Sequence, residues 1–237
     1  MIAAVVLAAL IATAVSLKKP MDEAIAAFSA KVPGEKLEIE AAASGVIVSQ
    51  VEHGAPVDLF LSASPVEMDR VARTGRLIEG SRRALATNRL VIVARKGLAP
   101  PASFDDLMDP RFKRIAIGNP KTVPAGRYAD QAIRKEELIG TIERRLVFGE
   151  NVRQVLDYVV RGEADAGIVY ATDVKLGGGD VVPGPTIDAT LHDPVIYEAA
   201  IVKGEGTARA EAFLEFLTSP AGLSILAANG FGPPPAP

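Results

Sequence analysis

The chain has 237 residues, of which 49% are hydrophobic and 23% charged, and its formal net charge is −3. This composition is typical of a globular protein with one large domain or two small ones. The slightly acidic balance argues against a nucleic-acid partner, since nucleic-acid binders carry a basic surface. The absence of cysteine excludes thiol catalysis and cysteine metal sites. Two histidines, His53 and His192, are too few for a histidine zinc site.

No charged side chain occurs in the first 17 residues, MIAAVVLAALIATAVSL. The run is short for a membrane span. It contains a cleavage-like Ala12-Thr13-Ala14 but lacks the basic start of a signal peptide. A continuous apolar run is also typical of a buried parallel strand. We interpret Leu10–Val15 as a strand and leave open whether residues 1–9 are a leader remnant or part of the fold.

Beyond this strand, apolar runs of strand length alternate with segments of helical periodicity. The predicted strands are Leu37–Ala42, Asp58–Ser62, Arg89–Ala94, Arg114–Ile117, Arg145–Phe148, Ala166–Tyr170 and Val195–Val202. The predicted helices are Met21–Ser29, Val46–Glu52, Pro65–Thr74, Ser103–Met108, Ala125–Arg134, Val152–Val160 and Thr207–Leu217, with a further turn or two in Pro220–Asn229. Lys175–Pro185, with three consecutive glycines, is predicted to be a loop. This alternation predicts βαβ units and a mostly parallel sheet.

The common catalytic and nucleotide-binding motifs are absent from the sequence. It contains no H-E-x-x-H, no G-x-S-x-G and no G-x-x-x-x-G-K-[ST]. The acidic residues are scattered along the sequence. They form no pattern that would indicate a catalytic base, a nucleophile or a metal site. We therefore expect a protein without enzymatic activity.

Small or hydroxyl-bearing residues stand where four predicted strands lead towards helices. These loops are Val15–Leu17, Ala43–Gly45, Val123–Gly126 and Glu150–Arg153. The first turn of a helix exposes N–H groups and a partial positive charge. Several such turns at the carboxyl ends of parallel strands would bind an anion without a basic side chain. Each loop by itself fits an ordinary helix cap equally well, so the pattern leaves both interpretations open.

Five segments of the chain, in one order, resemble the periplasmic molybdate-binding proteins of ABC importers. They are ATAVSLKKPMDEAIAAF, ASGVIVSQVEHGAPVDLFLSAS, GNPKTVPAGRYADQAI, GENVRQVL and EADAGIVYATD. The resemblance extends from about Ile11 to Phe231, and GAPVDLFLSAS, VPAGRYA and AGIVYATD are its most specific parts. It implies the α/β, two-lobed periplasmic-binding-protein fold, in which each lobe is a mostly parallel sheet flanked by helices and two crossover segments form the hinge.

The same resemblance implies how the chain is organised and used. Residues 1–86 with 196–237 would form lobe I, and residues 87–195 lobe II. The lobes would close on molybdate or tungstate and deliver it to an ABC transporter permease. The resemblance also implies a periplasmic location. We expect a monomer without a cofactor, in which molybdenum enters as the oxyanion and is not ligated directly by the protein.

Five oxyanion contacts are implied by the resemblance. Ser16, Ser44 and Tyr170 would act through their hydroxyls, and Ala125 and Val152 through their backbone N–H groups. The loops already point to four of these positions, whereas Tyr170 enters only through the resemblance. Two alternatives stay open: a carrier of another anion such as sulfate, phosphate or a small organic acid, and a ligand-sensing domain of the same fold. Against the sensing domain stands the lack of a helix-turn-helix segment.

Overall fold

The computed structural model of the chain describes residues 8–236. These residues divide into two compact units. One unit ends at Thr87 and resumes at Ile196, and the other comprises Asn88–Val195. Each unit contains a five-stranded sheet with helices packed on it. The prediction of an α/β fold with two helix-flanked sheets is confirmed.

The elements follow in chain order. The first unit begins with β1 (Ala9–Ala14), α1 (Lys18–Lys31), β2 (Leu37–Ala42), α2 (Ser44–Glu52), β3 (Leu59–Ser62), α3 (Pro65–Arg73) and β4 (Arg83–Thr87). The second unit contains β5 (Leu90–Arg95), β6 (Ile115–Gly118), α4 (Pro124–Lys135), α5 (Ile139–Ile142), β7 (Leu146–Gly149), α6 (Val152–Val160), β8 (Ala166–Tyr170), α7 (Ala171–Gly177) and β9 (Val181–Thr186). The first unit then ends with β10 (Ile196–Ile201), α8 (Thr207–Thr218) and α9 (Pro220–Ala228).

The sheet of the first unit is mixed. Its strand order is β2-β1-β3-β10-β4, in which β1 is parallel to both β2 and β3. Strand β10 is antiparallel to both β3 and β4. The chain leaves this unit after β4 and returns in the opposite direction along β10. Half of the pairings are therefore antiparallel, where the sequence predicts a mostly parallel sheet.

Helices cover the first sheet through apolar contacts. Ala12, Phe60 and Ala200 are in register across β1, β3 and β10. They belong to a buried cluster with residues of α2 and α3, among them Ile47, Val48, Val51, Met68 and Val71. Helix α8 contacts the same three strands and also packs on α1 and α9. Between α1 and α8, the rings of Phe28 and Phe213 meet edge to face with centroids 5.4 Å apart.

The sheet of the second unit has the same kind of order, β7-β6-β8-β5-β9. Strand β6 is parallel to both β7 and β8, whereas β5 is antiparallel to β8 and β9. Helices α4, α6 and α7 pack on this sheet. Both sheets therefore contain three parallel neighbours, β2-β1-β3 and β7-β6-β8, whose carboxyl ends share one edge.

Two strands differ from the sequence prediction. The prediction of a loop at Lys175–Pro185 is wrong, because this segment contains the end of α7 and most of β9. Strand β9 includes Pro183, Gly184 and Pro185 and lies at the sheet edge, where missing N–H donors are tolerated. Strand β4 was not predicted at all. Its sequence, RALAT, is short and lacks the β-branched run that would mark a strand.

The apolar start of the chain forms the predicted strand, which lies one residue earlier than expected, at Ala9–Ala14. Residues 1–7 lie outside the described part, so the question of a leader there stays a prediction. Ala12-Thr13-Ala14 is buried in β1, so cleavage after Ala14 would leave a chain without this strand. Within residues 8–236, no helix is long and apolar enough to cross a membrane.

Deletion of residues 1–15 is expected to abolish folding, because it removes β1, which pairs with both β2 and β3. Circular dichroism and urea unfolding check this expectation. The matched control lacks only residues 1–7, leaves β1 whole and should unfold cooperatively. Cooperative unfolding of the chain without residues 1–15 would contradict the central role of β1.

Candidate functional site

The carboxyl edge of the first sheet gathers three loops. Ala14 and Ala42 are in register at the ends of β1 and β2, and Thr13 is in register with Leu61 of β3. Ser16 and Ser44 each follow their strand by two residues, so parallel pairing brings both to the same edge. The loop after β3 also starts there.

Ser16 lies in the 3₁₀ turn Val15–Leu17, which joins β1 directly to α1. Its side chain is buried. The hydroxyl of Tyr197, a fully buried residue of β10, donates a hydrogen bond to Ser16 Oγ at 3.0 Å. The antiparallel return strand therefore positions the serine that follows the first strand.

Ser44 is the first residue of α2 and is fully buried. Its Oγ accepts a hydrogen bond from the backbone N–H of Ala63 at 3.1 Å. A serine hydroxyl has one proton to donate and lone pairs that accept. Because Ser16 Oγ and Ser44 Oγ both accept from the protein, each can donate its own proton to a ligand oxygen.

The carboxyl edge of the second sheet gathers the other three predicted residues. Gly118 and Gly149 are in register at the ends of β6 and β7, and β8 is parallel to β6. Ala125, Val152 and Tyr170 come after or at the end of these strands, so the structure brings them to one edge of this unit.

Ala125 is the second residue of α4, directly after Pro124. Glycine at position 126 allows this helix to begin close to β6, since a Cβ there would collide with the carbonyl group of Gly118. N–H groups in the first turn of a helix have no acceptor within the helix. The buried N–H of Ala125 is therefore a donor suited to an anion.

Val152 is the first residue of α6 and is buried. The helix is capped by Asn151, whose Oδ1 accepts the N–H of Gln154 at 3.0 Å. This cap binds the N–H of the third helical residue. The N–H of Val152 is not part of the cap and has no acceptor within the helix.

Tyr170 ends β8 and is buried. Its backbone N–H donates to Asp173 Oδ2 at 3.3 Å, and Asp173 lies in the first turn of α7. Asp173 Oδ1 lies 3.8 Å from Arg153 Nη2 on α6. One carboxyl group thus contacts the segments that follow both β7 and β8.

The carboxyl group of Asp173 is 0% exposed. Burial raises the pKa of Asp173 to about 6, and the positive charge of Arg153 and the N–H of Tyr170 oppose this rise without cancelling it.

Sequence reasoning missed three groups that hold the predicted residues in place: the hydroxyl of Tyr197, the N–H of Ala63 and the carboxyl of Asp173. Asp173 stands in the AGIVYATD segment, where a carboxylate three residues after a helix cap is a recognisable signal. Tyr197 and Ala63 gave no local signal, because their contacts span 181 and 19 residues.

Comparison with known proteins identifies the class of this chain. The family model described as bacterial extracellular solute-binding protein matches residues 9–232. The chain belongs to this family of solute-binding proteins.

Relatives within the solute-binding family bear out the resemblance seen in the sequence. The molybdate-binding protein ModA of Haemophilus influenzae is 32% identical over 225 residues, covering 92% of this chain and 87% of the relative. ModA of Escherichia coli is 33% identical over 226 residues, with 92% and 86% covered. The structure of the Azotobacter vinelandii periplasmic molybdate-binding protein matches with a TM-score of 0.86 at 24% identity, covering 96% of this chain and 100% of that one.

Membership of this family decides the general class of the protein. It is a solute-binding protein and not an enzyme. It needs no cofactor, because its small molecule is the bound solute. The periplasmic-binding-protein fold predicted from the sequence is confirmed by the structural match.

Replacement of Asp173 by asparagine is expected to change how the stability of this solute-binding protein depends on pH. Between about pH 4 and 6 the unfolded chain ionises Asp173 while the folded chain keeps its proton. Stability is therefore lost as the pH rises through this window. The loss amounts to about 3 kcal/mol by pH 7. Asp173→Asn keeps an oxygen acceptor for Tyr170 and removes this loss.

Urea unfolding of both proteins at several pH values measures the effect. The free energy of unfolding of Asp173→Asn should rise relative to the wild type from pH 4 to 7. Parallel curves for the two proteins would contradict the raised pKa.

Proposed function

We propose that this chain binds a tetrahedral oxyanion, molybdate or tungstate, and delivers it to the permease of an ABC importer. Ser16, Ser44 and Tyr170 bind through their hydroxyls, and Ala125 and Val152 through their N–H groups. The names of its molybdate-binding relatives support this ligand. A periplasmic location and a monomeric state belong to the same proposal.

One observation carries the proposal. Two serine hydroxyls at one sheet edge both accept hydrogen bonds from the protein, from Tyr197 and from Ala63. Each serine therefore keeps its own proton to donate, together with one further lone pair. The first-turn N–H groups of Ala125 and Val152 are donors only. A site in which donors predominate suits a ligand whose surface consists of acceptors, as in a fully ionised oxyanion.

The energetics favour such a site for a dianion. Removing the ion from water is costly unless its oxygens find donors. Each hydrogen bond to a charged group contributes roughly 1.5–3 kcal/mol. Five such bonds allow submicromolar affinity after the entropy of association is subtracted. No lysine or arginine is assigned to the ligand, so specificity rests on donor directions and on the size of the site.

Sulfate and phosphate are the competing ligands, because they share the tetrahedral arrangement of oxygens. Protonated phosphate carries a hydrogen that the N–H groups of Ala125 and Val152 cannot accept. Sulfate is fully ionised but smaller than molybdate. Direct comparison of these ions therefore tests the proposal.

Molybdate and tungstate are each expected to raise the melting temperature, whereas sulfate and phosphate at the same concentration are not. A ligand at 100 times its dissociation constant stabilises by about 2.7 kcal/mol. For a chain of this size that corresponds to roughly 5–10 °C. Differential scanning fluorimetry measures the shift. Equal stabilisation by sulfate would overturn the molybdate assignment and leave an oxyanion carrier.

Removal of a single hydroxyl is expected to weaken molybdate binding. Ser16→Ala, Ser44→Ala and Tyr170→Phe each delete one hydrogen bond to a charged ligand. The loss is roughly 1.5–3 kcal/mol, or about 10- to 150-fold in affinity. Calorimetric titration measures the affinity, and circular dichroism checks that each variant is folded.

The backbone donor at Val152 provides a matched pair of variants. Val152→Ala keeps the N–H and should bind almost as the wild type. Val152→Pro deletes it and should lose as much affinity as a hydroxyl variant. Proline is tolerated there because Val152 is the first residue of α6 and Asn151 before it is extended. Equal weakening by Val152→Ala and Ser44→Ala in folded proteins would refute the N–H assignment.

A further inference from the structure

Asp173 is a buried acid beside the donors of the second unit, and its side chain joins two of their segments. It accepts the N–H of Tyr170 through Oδ2 at 3.3 Å. Its Oδ1 faces Arg153, the residue after Val152, at 3.8 Å. The distance to Arg153 is too long for a hydrogen bond, and Oδ1 has no hydrogen-bond partner among the described residues.

The surroundings of Asp173 offer little compensation for a negative charge. Helix α7 packs against α6, β5, β8, β9 and the turn Gly178–Asp180. Arg153 lies against the carboxyl group, whereas Arg95 is paired with Asp165 and Asp180 with Lys96. Strand β9 carries no titratable side chain. Helix α7 itself also carries Lys175. The remaining elements that pack against it carry these titratable side chains: Arg153, Asp157 and Tyr158 on α6, Arg95 on β5, Tyr170 on β8 and Asp180 in the turn.

We propose that Asp173 is a positioning residue of the oxyanion site and that its carboxyl group takes up a proton when the oxyanion binds. This inference rests on the proposed function. As an acceptor, the carboxyl group holds the backbone of Tyr170, and in its ionised form it also attracts Arg153 at the start of α6.

The direction of the coupling follows from electrostatics. Burial already raises the pKa of Asp173 to about 6. Near neutral pH the group is therefore mostly ionised, and a small further rise in its pKa is enough to protonate it. An incoming dianion adds negative charge close to Tyr170, in a buried region where screening is weak. Like charge disfavours the ionised carboxyl and raises its pKa further. Protonation of Asp173 and oxyanion binding therefore favour each other.

Isothermal titration with molybdate, in buffers of different ionisation enthalpy, counts the protons taken up on binding. A one-unit rise in pKa on binding gives an uptake of about half a proton near pH 6.5. The same rise weakens binding by about fivefold between pH 6 and pH 8. Molybdate remains the dianion throughout this range, so the protons taken up belong to the protein.

Four variants distinguish the positioning role of the Asp173 carboxyl group from the effect of its charge on molybdate binding. Asp173→Asn keeps an acceptor for Tyr170 and should bind tightly, with no proton uptake and no dependence on pH. Asp173→Ala removes the acceptor and should bind about tenfold more weakly. Arg153→Gln should move the uptake to higher pH, because it removes the positive charge that favours the ionised form. Asp180→Asn, an exposed carboxyl of the same unit, is the control and should match the wild type.

The outcomes distinguish the two proposals. Molybdate binding without proton uptake, or uptake that persists in Asp173→Asn, would overturn the role of Asp173 and leave the proposed function standing. Equal affinities of Asp173→Ala and Asp173→Asn would overturn its positioning role. A wild-type protein that binds no molybdate at any pH would overturn both proposals.

Discussion

Parallel pairing of three neighbouring strands is the constraint on which each group of proposed ligand donors depends. In the first unit β1 pairs with β2 and β3, and in the second β6 pairs with β7 and β8. Parallel strands end at the same edge, and the chain must turn there into the next helix or loop. Residues far apart in sequence, such as Ser16 and Ser44, therefore meet because their strands share direction and register.

The hydrogen bonds that orient Ser16 and Ser44 come from other strands of the same sheet. Strand β10 brings Tyr197 to Ser16, and the loop after β3 brings the N–H of Ala63 to Ser44. Each contact occupies one lone pair of a serine oxygen and leaves the serine's own proton available for donation. The backbone N–H groups proposed as donors in the other unit have no lone pair, so a ligand oxygen that carries a hydrogen would lose a hydrogen bond there. The contact of Tyr197 thus depends on the antiparallel strand β10, whereas that of Ala63 comes from the end of the parallel strand β3.

In the proposed function, the two units contribute different kinds of hydrogen-bond donor. The donors proposed in the first unit are serine side chains, whereas those proposed in the second are first-turn N–H groups and one tyrosine. Backbone donors at helix starts depend on close packing, as the contact of Gly126 with Gly118 illustrates. The proposed donors are uncharged groups. Asp173 differs from them, because it is a buried acid whose carboxyl group accepts the N–H of Tyr170. Burying the ionised carboxyl group lowers the free energy of unfolding near neutral pH. Residues with strongly shifted pKa values are found most often at functional sites.

The sequence by itself determined the alternation of strands and helices, the α/β class and the five candidate residues, because periodicity, helix caps and the family motifs are local features. It failed at β4 and β9, where short or proline-containing segments become strands only through pairing with a neighbour. The contacts of Tyr197 with Ser16 and of Ala63 with Ser44 were decided only by the tertiary structure. The same holds for the burial of Asp173, because desolvation and hydrogen-bond partnership depend on which distant segments surround a group.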